Sequence, residues 1–287
     1  MTIDNGNKPH EKILLPEAKR VRASAPLLIL AVLFVVASFL TWYFTWFGRG
    51  LSDADITKYL ADEAHPRHVQ HALLQIEQRM ERGDAGVKQW YPRIISLAGN
   101  PETEFRLIVA WVMGADNTSQ EFHTALKQLV VDPQPIVRRN AALALVRFND
   151  PTGHAELISM LQPLAVTASV SGLLQSSLAP GAKLSRGALV GRIQEANNNI
   201  SEIRSPFNGE VAQILVASGT SVNAGQSLLD LRSDEQSTWE ALRGLAVIGN
   251  EQDLPLIESY SSGGTNDRIK QQANLTAGAI RARHKTS

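Results

Sequence analysis

The chain contains no cysteine, which excludes disulfides, thiolate metal sites and cysteine nucleophiles together. It also lacks an excess of either charge. With 28 basic residues against 28 acidic ones, no whole-molecule field would draw it to nucleic acid, and any partner must be chosen by local surface. Catalytic signatures are missing too: there is no G-x-S-x-G elbow, no Walker-type phosphate loop and no dinucleotide-binding glycine fingerprint. The acidic residues are scattered, with no pair spaced for acid/base work. Gly48-Arg49-Gly50 and Gly263-Gly264 are accounted for as linkers or turns. These absences predict a protein that is not an enzyme and carries no cofactor.

What is present begins with one apolar run, Leu27 to Phe47, free of charge and about as long as a membrane-spanning helix requires, roughly 20 residues at ~1.5 Å of rise. Trp42, Tyr43 and Trp46 gather at its far end, where amphipathic rings favour a headgroup layer. Lys8, Lys12, Lys19, Arg20 and Arg22 precede it, whereas Arg49 and Lys58 sit among Asp53, Asp55 and Asp62 after it. The pattern predicts a short disordered cytoplasmic tail over 1–24 and a single transmembrane helix over 25–47. The remainder is then expected on the outer face of a bacterial inner membrane, with envelope or inner-membrane proteins as partners.

From Leu51 to about residue 162 the apolar spacing is helical, with Pro-marked breaks every thirty-odd residues. The clearest unit runs from Asp132 to Leu161: an Asp-Pro start, a helix through AALAL, a turn at Asn149-Asp150-Pro151 and a second helix. Two looser units open at His65-Pro66 and Asn100-Pro101. This arrangement resembles the short bacterial kind of HEAT-like repeat. A lone hairpin cannot bury its apolar face, so Leu73, Ile76, Ile94, Ile108, Val112, Leu126, Ala141 and Leu145 are expected to pack between units. Arg138, Arg139 and Arg147 make a small basic patch assigned to packing between repeats rather than to nucleic acid.

Between 163 and 233 short apolar runs alternate with glycines, a β pattern. It contains a duplication, Gly181-x5-Gly187-x5-Ile193 being matched thirty-eight residues on by Gly219-x5-Gly225-x5-Leu231. Two half-motifs of this kind predict a small closed, flattened barrel. Helical spacing then resumes over 234–285.

The second half-motif, with Pro206, Gly209, Val211, Val216, Gly219, Val222, Gly225, Gln226 and Leu228, is similar to the biotinyl/lipoyl fold. In carrier members of that family a lysine at a hairpin tip takes biotin or lipoate. Asn198 holds that position here, between Asn197 and Asn199, and an amide nitrogen cannot act as the nucleophilic amine. Lysine-less relatives of the fold also occur in periplasmic adaptor, or membrane fusion, proteins. The resemblance implies a docking element, with Asn197, Asn198 and Asn199 as the partner-binding candidates. As a metal site the sequence offers only His65, His68 and His71, a run whose first member precedes Pro66 and is biased out of the helix.

The whole reads as an α+β chain: a single N-terminal transmembrane helix, then an α-solenoid of HEAT-like repeats with an inserted all-β lipoyl-like flattened barrel. The function expected is a membrane-anchored scaffold or adaptor. The alternatives are a biotin or lipoate carrier, an enzyme-complex subunit, or a lyase or cofactor chaperone of the helical-repeat type.

Overall fold

The computed structural model describes residues 25–42, 50–262 and 266–285. The chain divides into two compact units, 1–50 and 51–287. Within the first, helix α1 spans Ala25–Trp42 and exposes its large apolar side chains from Leu28 to Leu40. It corrects the transmembrane expectation. Eighteen residues give about 27 Å of helix against the ~30 Å of a hydrocarbon core. Among the described residues no helix is long and apolar enough to cross a membrane. Residues 43–47 and the tail 1–24, with their aromatic and basic flanks, lie outside the described residues. The single-pass topology and the inner-membrane location that rested on the span are therefore withdrawn.

The second unit opens with α2 (Asp53–Ala61), started by a capping box in which Ser52 accepts from the Asp55 N–H and the Asp55 carboxylate accepts from the Ser52 N–H. Helices then follow as hairpins: α3 (Pro66–Glu81) with α4 (Tyr91–Leu97), α5 (Thr103–Met113) with α6 (Gln120–Leu129), and α7 (Pro135–Arg147) with α8 (His154–Met160). After the β segment come α9 (Glu235–Ile248), α10 (Leu254–Ser262) and α11 (Asp267–Lys285). Pro66 and Pro135 each occupy a first-turn position, where the missing N–H costs nothing. α3 lies against α5, α5 against α7, α7 against α9, and α9 against α11, so the first helices of successive hairpins form one layer.

Two contacts recur along the array, one within hairpins and one between them. Arg106 donates to the carbonyls of Asn100 and Pro101, and Arg138, one unit later, donates to those of Asp132 and Pro133. Both thus pin the Asn-Pro or Asp-Pro turn that begins their own hairpin. In the second contact, an aspartate in each inter-helix turn accepts from a ring in the preceding hairpin: Asp116 from Tyr91 at 2.6 Å, Asp150 from His123 at 2.6 Å, and Asp253 from His154 at 2.8 Å. The last pair reaches across the β segment, and α8 also packs on α9, so the array continues through the insertion. Leu73, Ile76, Ile94, Val112, Leu126, Ala141 and Leu145 are fully enclosed in one core with Phe105 and Phe122, while Ile108 packs at its margin. Each of the larger side chains contributes about 1.5–3 kcal/mol by burial, and Ala141 less.

The β segment forms eight strands: β1 (Leu164–Thr167), β2 (Gly172–Gln175), β3 (Lys183–Leu184), β4 (Leu189–Gln194), β5 (Ile200–Arg204), β6 (Gly209–Ile214), β7 (Ser221–Val222) and β8 (Ser227–Ser233). They make two antiparallel sheets, ordered β1-β8-β6-β3 and β5-β4-β2-β7. Exchanging β1–β4 for β5–β8 turns one order into the other. The expected closed barrel is corrected to this open pair. β1, β3, β5 and β7 each bond on one side only, and the two-residue β3 and β7 are too short to carry a ladder onward. Val211, Ile193, Leu231, Phe207 and Leu229 fill the space between the sheets.

Gly172 and Gly209, the first residues of β2 and β6, sit where the backbones meet. A Cβ at Gly172 would lie 2.3 Å from the Gln194 carbonyl oxygen, and one at Gly209 2.4 Å from that of Arg232.

Candidate functional site

The β-unit is locked to the helical array at one joint, which fixes every surface near it. Ile136 of α7 packs against both cores. Arg186 makes a two-pronged bond to Glu104 of α5 at 2.7 and 2.9 Å, and Ser233 Oγ donates to the Met160 carbonyl. Arg139 of α7 is 3% exposed and lays its guanidinium 3.4 Å from the centroid of the Phe207 ring, with Glu156 3.9 Å away. Burial lowers its pKa to about 10, and its Nε and Nη1 find no acceptor among the described residues. The basic patch expected from sequence is therefore divided. Arg138 bonds Glu156 at 2.8 Å, Arg139 is inside, and Arg147 alone is exposed.

Asn197, Asn198 and Asn199 lie at the tip of the β4–β5 hairpin, all exposed. Asn198 has φ +64°. Within the loop, Asn198 N–H donates to Glu195 O and Glu195 N–H to Asn199 O, which leaves a turn followed by one left-handed residue. The Asn197 side chain accepts from the Asn199 N–H at 3.0 Å. Beside the tip, Ile200 is 63% exposed, and its cross-strand partner Gln194 pairs in turn with the exposed Leu173. No amine stands at the tip, since Lys183, exposed on β3, pairs there with Glu210 of β6.

The histidine run is split. His65 and His68 both turn Nδ1 to the Asp62 carboxylate, whereas the His71 Nε2 sits 2.9 Å from the Gln75 amide. Those two bonds, His65 first, hold Asp62 below the ordinary carboxylate range.

A cleft of about 880 Å³ opens between the β3–β6 edge and helices α9 to α11. Its charges meet within it: Arg232 lies 3.5 Å from Glu210 and Arg268 3.7 Å from Glu235, and Asp234 caps α9 by accepting from the Ser237 N–H.

Sequence reasoning passed over Trp111. On α5, between the buried Ala110 and Val112, it is 52% exposed. Leu74 of the adjoining α3 is exposed as well, and Glu77, one turn on, is raised above the usual range chiefly by burial, the Trp111 indole N–H working against that shift. The signal available in the sequence was a tryptophan interrupting the apolar run of α5, at the position that Leu143 holds in α7 and Arg243 in α9.

No family model matches this chain, and no curated protein does. Among solved structures, one described as a single-chain, multi-domain long-chain acyl-CoA carboxylase aligns at 17% identity and a TM-score of 0.24. It covers 44% of this chain and 10% of its own length. A likeness of that size carries no argument about fold or activity.

Proposed function

We propose that this protein is a non-enzymatic scaffold that binds another protein on the α3–α5 face of its helical array. The observation that carries the reading is Trp111: a large ring, half exposed, held on a helix whose adjoining residues Val109, Ala110, Val112 and Met113 are locked in the core. Tryptophan exposed on a rigid frame with an apolar neighbour such as Leu74 is the composition that dominates protein–protein binding energy. The likeness of the array to HEAT-like repeats supports the same reading, because stacked hairpins offer an extended surface suited to a polypeptide. The lipoyl-like β-unit would serve as a second docking element through Asn197, Asn198, Asn199 and Ile200, having no amine at the carrier position. With the membrane span withdrawn, the envelope loses its support as the source of partners, and the proposal is of a protein partner only.

The test places a photo-crosslinking amino acid at Leu74 in the full-length chain, in the cells that make it. A discrete adduct is expected that disappears when Trp111→Ala is added and is absent when the crosslinker stands at Gln128, exposed on the other helical layer. Equal adducts at both positions, or adducts indifferent to Trp111→Ala, overturn the reading.

A further inference from the structure

We infer that Asp62, His65 and His68 form a site for a divalent transition metal of the zinc type, which would tie the end of α2 to the start of α3. The three side chains each turn one ligand atom toward a common point, all within 4.8 Å of one another. His65 Nδ1 lies 2.9 and 3.0 Å from the two Asp62 oxygens, and His68 Nδ1 lies 2.7 Å from Oδ2. Around a tetrahedral zinc ion with bonds of about 2.0–2.1 Å, neighbouring ligand atoms are roughly 3.3 Å apart. The Asp62–histidine separations therefore need to widen by a few tenths of an ångström, and the two Nδ1 atoms, within 4.8 Å of each other, must settle at that same spacing. Two imidazole nitrogens and one carboxylate oxygen are a donor set that suits zinc, cobalt, nickel or copper(II) and is a poor match for calcium or magnesium.

The local fold builds the cluster. Asp62 ends α2 with its N–H on the Tyr59 carbonyl, His65 returns its N–H to the Asp62 carbonyl, and Pro66 fixes the first turn of α3, so His68 arrives one turn along the same face. The rings are held by packing as well. Tyr59 stacks on His68 with centroids 4.4 Å apart and planes 15° from parallel, and His65 lies 5.2 Å from His68. Glu63, the other nearby acid, is committed to Arg93 and Asn100 and leaves Asp62 as the carboxylate donor.

Metal binding at both Nδ1 atoms requires each neutral ring to carry its proton on Nε2. The Nδ1 protons now shared with Asp62 are exchanged through water to the exposed sides of the rings, with no net change in charge on the protein. The side chains of Asp62 and His68 are partly exposed and that of His65 mostly so, leaving room for a solvent ligand in the fourth position.

Untagged full-length protein, stripped with a chelator and titrated with Zn²⁺ against a competing indicator, decides the matter. One equivalent per chain is expected, with a Kd in roughly the micromolar range. Co²⁺ in its place is expected to give the visible absorption of a four-coordinate ion. Asp62→Ala and, separately, His65→Ala are expected to weaken binding at least about tenfold, and His71→Ala to leave it unchanged. His65 is the more exposed position, so its variant keeps the fold if Asp62→Ala does not, with far-UV circular dichroism as the check. No saturable binding, or binding that survives loss of His65 or depends on His71, overturns the site.

Discussion

Replacing Arg139 by methionine tests the account of the joint between helices and sheets. The guanidinium is enclosed, its Nε and Nη1 lack acceptors among the described residues, and burial brings its pKa down to about 10. A depression of that size corresponds to about 3 kcal/mol of unfavourable free energy at neutral pH. Against this stands the contact with Phe207, worth about 2 kcal/mol in a desolvated setting. A thioether would restore part of that contact through its sulfur. Glu156 would not be stranded, because Arg138 holds it at 2.8 Å. Arg139→Met is therefore expected to be more stable than the wild type by about 1 kcal/mol, a rise in Tm of roughly 2–4 °C. The pH dependence supplies a second reading. A base whose pKa is lower folded than unfolded is bound to its proton more tightly by the unfolded chain, so its penalty is complete below about pH 10. It is relieved as pH rises through that value toward the ordinary guanidinium range, and there the wild type should gain on the variant. Urea unfolding of both proteins, at neutral pH and in steps above pH 9, measures each effect. A variant less stable by about 2 kcal/mol or more would show that the buried cation is a net stabiliser and refute the reasoning.

Further outcomes are expected elsewhere. Gly172→Ala or Gly209→Ala forces a Cβ against a backbone oxygen and should cost at least about 1–3 kcal/mol in chemical denaturation, an effect absent at an open, exposed glycine such as Gly278. Asp132→Ala strips the partner from Arg106 and should lose about 3–5 kcal/mol. Burial acts to raise the Asp132 pKa, but the bonds from Arg106 and the Gln134 N–H prevail and lower it, so its stabilisation is present above pH 3.8 and is lost as pH falls through the folded value. Acid unfolding of Asp132→Asn should lack that component. At the hairpin tip, Asn198→Ala should cost about 1 kcal/mol for its left-handed backbone, while Asn198→Gly is tolerated, as thermal melts would show. The intact mass of the purified chain should match its sequence, and an added biotinyl or lipoyl group would remove the scaffold reading.

How much of this was legible in the sequence depends on whether the signal was local. The Asn-Pro and Asp-Pro turns, the apolar spacing of the helices and the thirty-eight-residue duplication are short-range patterns, and the core residues named from them are enclosed or, for Ile108, at the core's edge. Strand pairing is not local. Closure of the barrel was inferred from symmetry, yet it depends on whether two-residue strands can pair on both sides, which β3 and β7 do not. The histidines show the same limit: spacing joined His71 to His68, whereas the helix start swings His65 out to meet an aspartate in the preceding turn. Adjacent Arg138 and Arg139 gave no hint that one would face Glu156 and the other a phenyl ring sixty-eight positions away. The apolar run was measured by composition over 27–47, whereas the described helix within it spans Ala25–Trp42.

The bond between His154 and Asp253, across 99 positions of sequence, carries a consequence for the order in which the chain folds. Bringing the ends of a flexible segment of roughly 70 residues together costs about 4 kcal/mol in chain entropy, and α9 cannot dock on α8 until that has been met. A β-unit that has already paired β1 with β8 brings its own two ends side by side and removes the cost beforehand. The insertion is then less an interruption of the array than a clasp, and the C-terminal helices should be the last to gain protection from hydrogen exchange during refolding.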